Sequence, residues 1–262
     1  KEKLEVIYRN ANRMNYLINE LLTFSKIEMK QMHISVRKGD IMHFLEELSH
    51  IFDIVAGERE IDFIVSLEDT KEEVWFSPSK LERILYNLLS NAFKYTQPGG
   101  YVRLSAKLIK EEKETMVQIS VKDSGRGIPK DVQEQIFESY YQVEKRDHRE
   151  GFGLGLSLTR SLIHMHKGEI RVESEVNKGS DFIVTLNVSE DAYAPDERSS
   201  ENITTEEIQK YNQRIKETIE LIPEKLTNKE KDSGRESIMI VEDNKEMNDY
   251  LASIFGEKYD II

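Results

Sequence analysis

Asn87, Asn91 and Lys94 fall four and three residues apart in the run Leu85-Tyr-Asn-Leu-Leu-Ser-Asn-Ala-Phe-Lys-Tyr95, so on a helix they share one polar stripe. Two carboxamides and an ammonium on one stripe suit a phosphate-bearing ligand. Leu85, Leu88, Leu89, Ala92 and Phe93 complete the apolar face, and Ser77-Pro78 ahead of them predicts an N-cap followed by proline at the first helical position. Taken alone, the asparagines also fit solvated positions on an ordinary amphipathic helix, so the neighbouring motifs decide the matter.

Asp123-Ser-Gly-Arg-Gly-Ile-Pro129 stands where a predicted strand runs out. Its carboxylate can accept from an exocyclic amine, while Gly125 and Gly127 allow backbone to approach a flat base closely. Gly151-Phe-Gly-Leu-Gly-Leu156 then places Gly151, Gly153 and Gly155 at the start of a helix, a geometry whose free N–H groups and positive end bind phosphate. Each motif is weak by itself. Their order, with a strand or loop between each, points to a nucleotide site.

The elements that must position these motifs are legible in the periodicity. Leu4, Ile7, Ala11, Met14, Ile18 and Leu21 recur at steps of three and four, predicting one long helix to about Met29 whose stripe suits a four-helix bundle. Ile34 to Arg37 alternates as a short strand, and Asp40 can cap a helix running from Ile41 through Val55. Ile61–Leu67 and Val74–Phe76 read as strands around a charged turn; Tyr101–Leu108 and Met116–Lys122 read as a hairpin closed by Lys110 to Glu114. Asp131–Phe137 reads as a short helix, Gly155 to about His166 as a longer one, and Gly168–Val176 with Ser180–Val188 as a last strand pair. The sum is an α+β fold, a two-layer sandwich of a mixed sheet with helices on one face.

Residues 189–236 carry 13 acids against 8 bases with Pro195 and Pro223, and read as a linker holding one helix. Thr204 with Glu207 forms a capping box, and Ile208, Tyr211, Ile215, Ile219 and Ile222 form a stripe that must dock on something. Ser237-Ile-Met-Ile-Val241 begins a new buried strand. The expected divisions are therefore 1–32, 33–189, 190–236 and 237–262. A net charge of −12 over 262 residues argues against direct nucleic-acid binding, and the absence of cysteine removes disulfides, thiolate metal sites and thiol nucleophiles.

The set of motifs resembles the ATP-binding domain of sensor histidine kinases over about Gly39 to Ser189. Asn87, Asn91, Lys94 and Tyr95 match the N box, Asp123, Gly125 and Gly127 the first glycine box, Phe137 the F box, and Gly151, Gly153 and Gly155 the second. The resemblance implies that Asn91 and Asn87 hold magnesium against the phosphates, Lys94 contacts phosphate, Tyr95 lies by the adenine and Asp123 reads its amino group. Ile128, Leu154, Leu156 and Ser180 join the nucleotide-binding set on the same basis. Arg13–Leu22 resembles the second helix of a dimerisation and phosphoacceptor hairpin, and Ile238–Ile262 the opening of a receiver domain with Glu242 and Asp243 as magnesium-binding acids. Together these imply a hybrid two-component kinase: a homodimer through the N-terminal helix, using ATP and magnesium, serving its own or its partner's receiver. Attachment to the inner membrane is expected only through segments upstream of Lys1.

Departures from the family pattern bear on catalysis. Gln142 stands where many relatives carry arginine, with Arg146 or Arg149 as substitutes; Phe152 replaces a small hydroxyl residue, and Arg126 an aliphatic one. Hydrolytic relatives place a general-base glutamate where this chain has Asn87, so transfer to a supplied nucleophile is expected instead. That nucleophile would be a histidine lying before residue 4, and the receiver's acceptor aspartate would lie beyond Ile262. No autophosphorylation is therefore expected of this chain alone. The competing reading is a degenerate nucleotide-sensing or dimer scaffold.

Overall fold

The computed structural model describes residue 14 and residues 18–29, 31–112, 114–141, 153–219, 237–238, 250, 252–256 and 259–261. Contacts divide the chain into two compact units, Lys1–Ile222 and Pro223–Ile262.

In the first unit a helix over residues 18–28, α1, is followed by β1 (Arg37–Asp40), α2 (Ile41–Ser49), α3 (Ile51–Arg59), β2 (Asp62–Leu67), β3 (Glu73–Phe76) and α4 (Pro78–Tyr95). Then come β4 (Tyr101–Lys110), β5 (Thr115–Asp123), α5 (Gly155–Met165), β6 (Glu169–Glu175), β7 (Gly179–Asn187) and α6 (Thr205–Ile219). The main sheet has the order β2-β4-β5-β7-β6; β2 and β4 are parallel and the other pairs antiparallel. One face of it is apolar. Val102, Leu104, Val117, Ile119, Val121, Val184 and Leu186 are buried there with Leu85, Leu88, Leu89 and Phe93 of α4 and Leu162 and Ile163 of α5. The alternate residues, such as Arg103, Lys107, Lys122 and Arg171, are exposed, as period-two alternation requires of a sheet covered on one side. The expected α+β sandwich is the observed fold.

Several local expectations are corrected. The strand expected from Ile34 lies at Arg37–Asp40, with Val36 making only an isolated bridge to Arg198. Asp40 caps α2 as expected, its carboxylate accepting the His43 N–H at 3.0 Å, but the helix expected to reach Val55 breaks at His50 into two. β2 and β3 flank a charged turn as expected; β2 joins β4, and β3 joins β1 in a separate two-stranded sheet. Ser77 begins α4 ahead of Pro78, but its hydroxyl makes no cap bond. Instead its buried N–H donates to His166 Nε2 at 3.2 Å, which ties the start of α4 to the end of α5. Asp131–Phe137 forms two 3₁₀ turns, Lys130–Val132 and Gln135–Phe137, rather than a helix.

The segment after β7 is built onto this unit. Thr204 and Glu207 make both bonds of the capping box, at 3.2 and 3.3 Å. Both Glu207 carboxylate oxygens also accept from Arg37 Nη1, each at 2.9 Å. Ile208 and Ile215 are buried in the main core, and the Tyr211 ring meets Phe44 edge-on at 5.8 Å. Among the described residues no helix is long and apolar enough to cross a membrane. In the second unit β8 (Ser237–Ile238) pairs in parallel with β9 (Asp260–Ile261).

Candidate functional site

α4 carries the polar stripe. Its apolar residues are fixed in the core, so Asn87, Asn91, Lys94 and Tyr95 are left half-buried along one side. Asn87 Nδ2 donates to Thr159 Oγ1 at 2.6 Å, and a methyl on Gly155 would lie 2.6 Å from Asn87 Oδ1. The first turn of α5 is thereby held directly against the asparagine helix. Asn91, one turn further on, makes no side-chain hydrogen bond to the described residues. The Lys94 ammonium lies 4.9 Å from the Tyr95 ring centroid.

Asp123 ends β5, only 5% exposed, between Val102 of β4 and Ser180 of β7. Its Oδ1 accepts the Gly125 N–H at 2.7 Å. Burial pushes its carboxyl up to about 6; the backbone hydrogen bonds from Gly125 and Ser180 work against the shift, and Asp181 adds to it. The loop leaving Asp123 is pinned on both sides. Gly127 has φ +68° and Gly179 φ +101°, and a side chain on either would collide with a carbonyl oxygen, that of Glu175 or of Asp123 respectively. A methyl on Gly125 would stand 2.6 Å from the Tyr95 carbonyl oxygen, so this loop also abuts the end of α4.

Polar residues outside the motifs hold the same loop. Ser174 Oγ accepts the Ile128 N–H at 2.8 Å and lies 2.9 Å from both the Gly179 carbonyl and Ser180 Oγ. Gln133 Nε2 donates to the carbonyls of Ile128 and Ser174, each at 2.9 Å. Sequence reasoning missed Thr159, Ser174 and Gln133. Thr159 had one signal, its place four residues into the helix that Gly155 opens; the other two lie on elements with no motif of their own. Phe137 is buried edge-on to Phe182 at 6.3 Å, with the Arg160 guanidinium 5.9 Å from its ring.

The structure therefore gathers Asn87, Tyr95, Asp123, Gly125, Gly127, Gly155 and Ser180 around contacts linking α4, the β5 loop, α5 and β7. Leu154 is buried at the N-cap position of α5 and Leu156 is half-buried against the core. Gly153 turns the chain at φ +69°, its carbonyl accepting the Tyr140 N–H at 3.0 Å. Gly151, Phe152, Gln142, Arg146, Arg149, Glu242 and Asp243 lie outside the described residues.

Residues 76–190 match the family described as "Histidine kinase-, DNA gyrase B-, and HSP90-like ATPase". Histidine kinase P4 of Formosa agariphila is 31% identical over 271 residues, covering 100% of this chain and 19% of that protein. Residues 76–190 form an ATPase domain of this histidine kinase-like family. Sensor histidine kinase TmoS of Ectopseudomonas mendocina is 31% identical over 265 residues, 99% of this chain and 26% of its own length. The chain thus spans only about a fifth to a quarter of these kinases' lengths. Full-length ShkA, crystallised with AMPPNP, superposes with a TM-score of 0.61 at 25% identity, covering 69% of this chain and 37% of ShkA. Asn87, Asn91, Lys94 and Asp123 all lie inside the segment that matches the ATPase family.

Proposed function

We propose that this histidine kinase domain binds magnesium and ATP through Asp123 and the polar stripe of α4, and transfers the γ-phosphoryl group to a histidine supplied by a dimerisation hairpin. The observation that carries the proposal is Asp123: a carboxylate at a strand end, 5% exposed, in a loop whose glycines let it pack closely against the Tyr95 and Glu175 carbonyls. Desolvation makes a donor for that carboxylate valuable, and an adenine amino group supplies one. Asn91 fits a magnesium ligand, since a carboxamide oxygen is a hard donor and its side chain is not committed to a described neighbour. Asn87, held by Thr159 through Nδ2, keeps Oδ1 as a second such oxygen. Magnesium, when bound, would neutralise phosphate charge that builds up during transfer. Neither carboxamide can take a proton from water, which favours transfer over hydrolysis.

The rest of the proposed organisation is a hybrid kinase: 1–32 as the second hairpin helix, 33–189 as the catalytic domain, 190–236 as a connection holding one helix, and 237–262 as the start of a receiver. On α1 the apolar stripe faces away from the domain, with Ile18 and Leu21 each 51% exposed while Glu20 and Thr23 are buried. This supports a homodimer partner for that face. The parallel pairing of β8 with β9 supports a receiver-like opening, since parallel neighbours require a crossover. Phosphoryl transfer to a receiver aspartate, and inner-membrane attachment through upstream segments, complete the proposal.

Calorimetric titration with a non-hydrolysable ATP analogue, with and without magnesium, tests the site. Magnesium-dependent binding that Asp123→Ala abolishes is the expected result. Binding unaffected by that substitution would place the nucleotide elsewhere.

A further inference from the structure

The loop after β5 carries a cation that no nucleotide motif requires. Arg126, between Gly125 and Gly127, lays its guanidinium 4.5 Å from the centroid of the Tyr95 ring. Lys94 Nζ stands 4.9 Å from the same centroid. One aromatic ring at the end of α4 therefore holds a cation from its own helix and a second from the Asp123 loop.

The Arg126 backbone has little freedom to leave this arrangement. Its carbonyl accepts the Asn177 N–H at 2.8 Å, and the flanking glycines pack against the Tyr95 and Glu175 carbonyls. A guanidinium is planar and weakly hydrated, so it lies on an aromatic face at small desolvation cost, whereas an aliphatic residue there would give packing without charge. Arg126 itself is exposed and Tyr95 half-buried, which places the contact at the rim of the site rather than beside the buried carboxylate.

We infer that Arg126 is a positioning residue for the nucleotide: by lying on Tyr95 it fixes that ring at the rim and couples the Asp123 loop to α4. The inference rests on the nucleotide reading above, in which Tyr95 borders the adenine and Lys94 contacts phosphate. Ring and loop then form one wall before ligand arrives, and less ordering remains to be done on binding.

The test is calorimetric titration of the 262-residue chain with magnesium and a non-hydrolysable ATP analogue, comparing the parent with Arg126→Met and Arg126→Lys, each also melted thermally. Arg126→Met, which keeps the stem and loses the cation, is expected to weaken binding about three- to tenfold with little change in melting temperature. Arg126→Lys, which keeps the charge without the planar group, is expected to recover part of that loss. Equal binding by Arg126→Met and parent would overturn the inference while leaving the nucleotide reading intact; so would a lysine variant as weak as the methionine one. A parent that does not bind the analogue would overturn both.

Discussion

At the scale of single residues, Asp123, the proposed adenine ligand, carries a cost to stability. Its folded carboxyl sits at about 6 against an ordinary value near 3.8, because burial disfavours the charge. The raised value means that the protonated form is favoured in the fold. The associated stability is fully present below pH 3.8 and is lost as pH rises through about 6. Asp123→Asn is therefore expected to be more stable than the parent at pH 7.5, by about 1–3 kcal/mol, with the difference vanishing toward pH 4. Urea unfolding at several pH values measures this. Under the proposed contact with the adenine amine, nucleotide affinity should move the other way, falling in the parent as pH drops below about 6, because the ionised carboxylate is the stronger acceptor.

His166 has the opposite sign. It is fully buried, Nε2 accepts from Ser77, Nδ1 donates to the Leu162 carbonyl at 2.9 Å, and burial pushes the ring down to about 4. Its neutral form contributes stability above pH 6.5 that is lost as pH falls through about 4. His166→Gln should cost about 1–3 kcal/mol near neutrality by disturbing the buried acceptor for Ser77, and less toward pH 4.

At the scale of elements, two contacts decide how the site is held. The Asn87–Thr159 hydrogen bond joins α4 to α5, which fixes the glycine-bearing end of α5 relative to the asparagine stripe. The second is the docking of α6. The matched family segment stops at residue 190, yet Ile208 and Ile215 belong to the same core as α2 and α4. A chain trimmed to that boundary would expose Phe44 and its neighbours. Ile208→Ala and Ile215→Ala are each expected to cost about 2–4 kcal/mol, read as a lower urea midpoint with an unchanged slope. Breaking the Arg37–Glu207 pair at the helix edge should cost less than about 1 kcal/mol, since it stands partly in solvent.

At the scale of the molecule, the division at Ile222 and Pro223 sets an expectation for truncation. A chain ending at Ile222 keeps every described residue of the proposed nucleotide site and its core. Its affinity for the ATP analogue should match that of the full chain within about twofold, well under the tenfold that 1.4 kcal/mol represents. A larger loss, measured by the same calorimetry, would show that residues 223–262 contribute to binding.

The sequence by itself determined the sandwich and the order of its motifs, and it singled out Asn87, Asn91, Lys94 and Asp123 as the proposed site residues, because each reading depends on local periodicity or on glycine where backbone must pass closely. Capping at Asp40 and Thr204 was legible for the same reason: the partners lie three residues apart. Tertiary structure alone decided that β2 joins β4, that the Ser77 amide turns to His166 instead of its own hydroxyl capping α4, and that the surface on which the α6 stripe docks includes α2. It also brought Thr159 to Asn87 and Arg126 to Tyr95, across 72 and 31 residues of chain. Such pairings depend on burial shared by distant segments, and no spacing within a single segment encodes them.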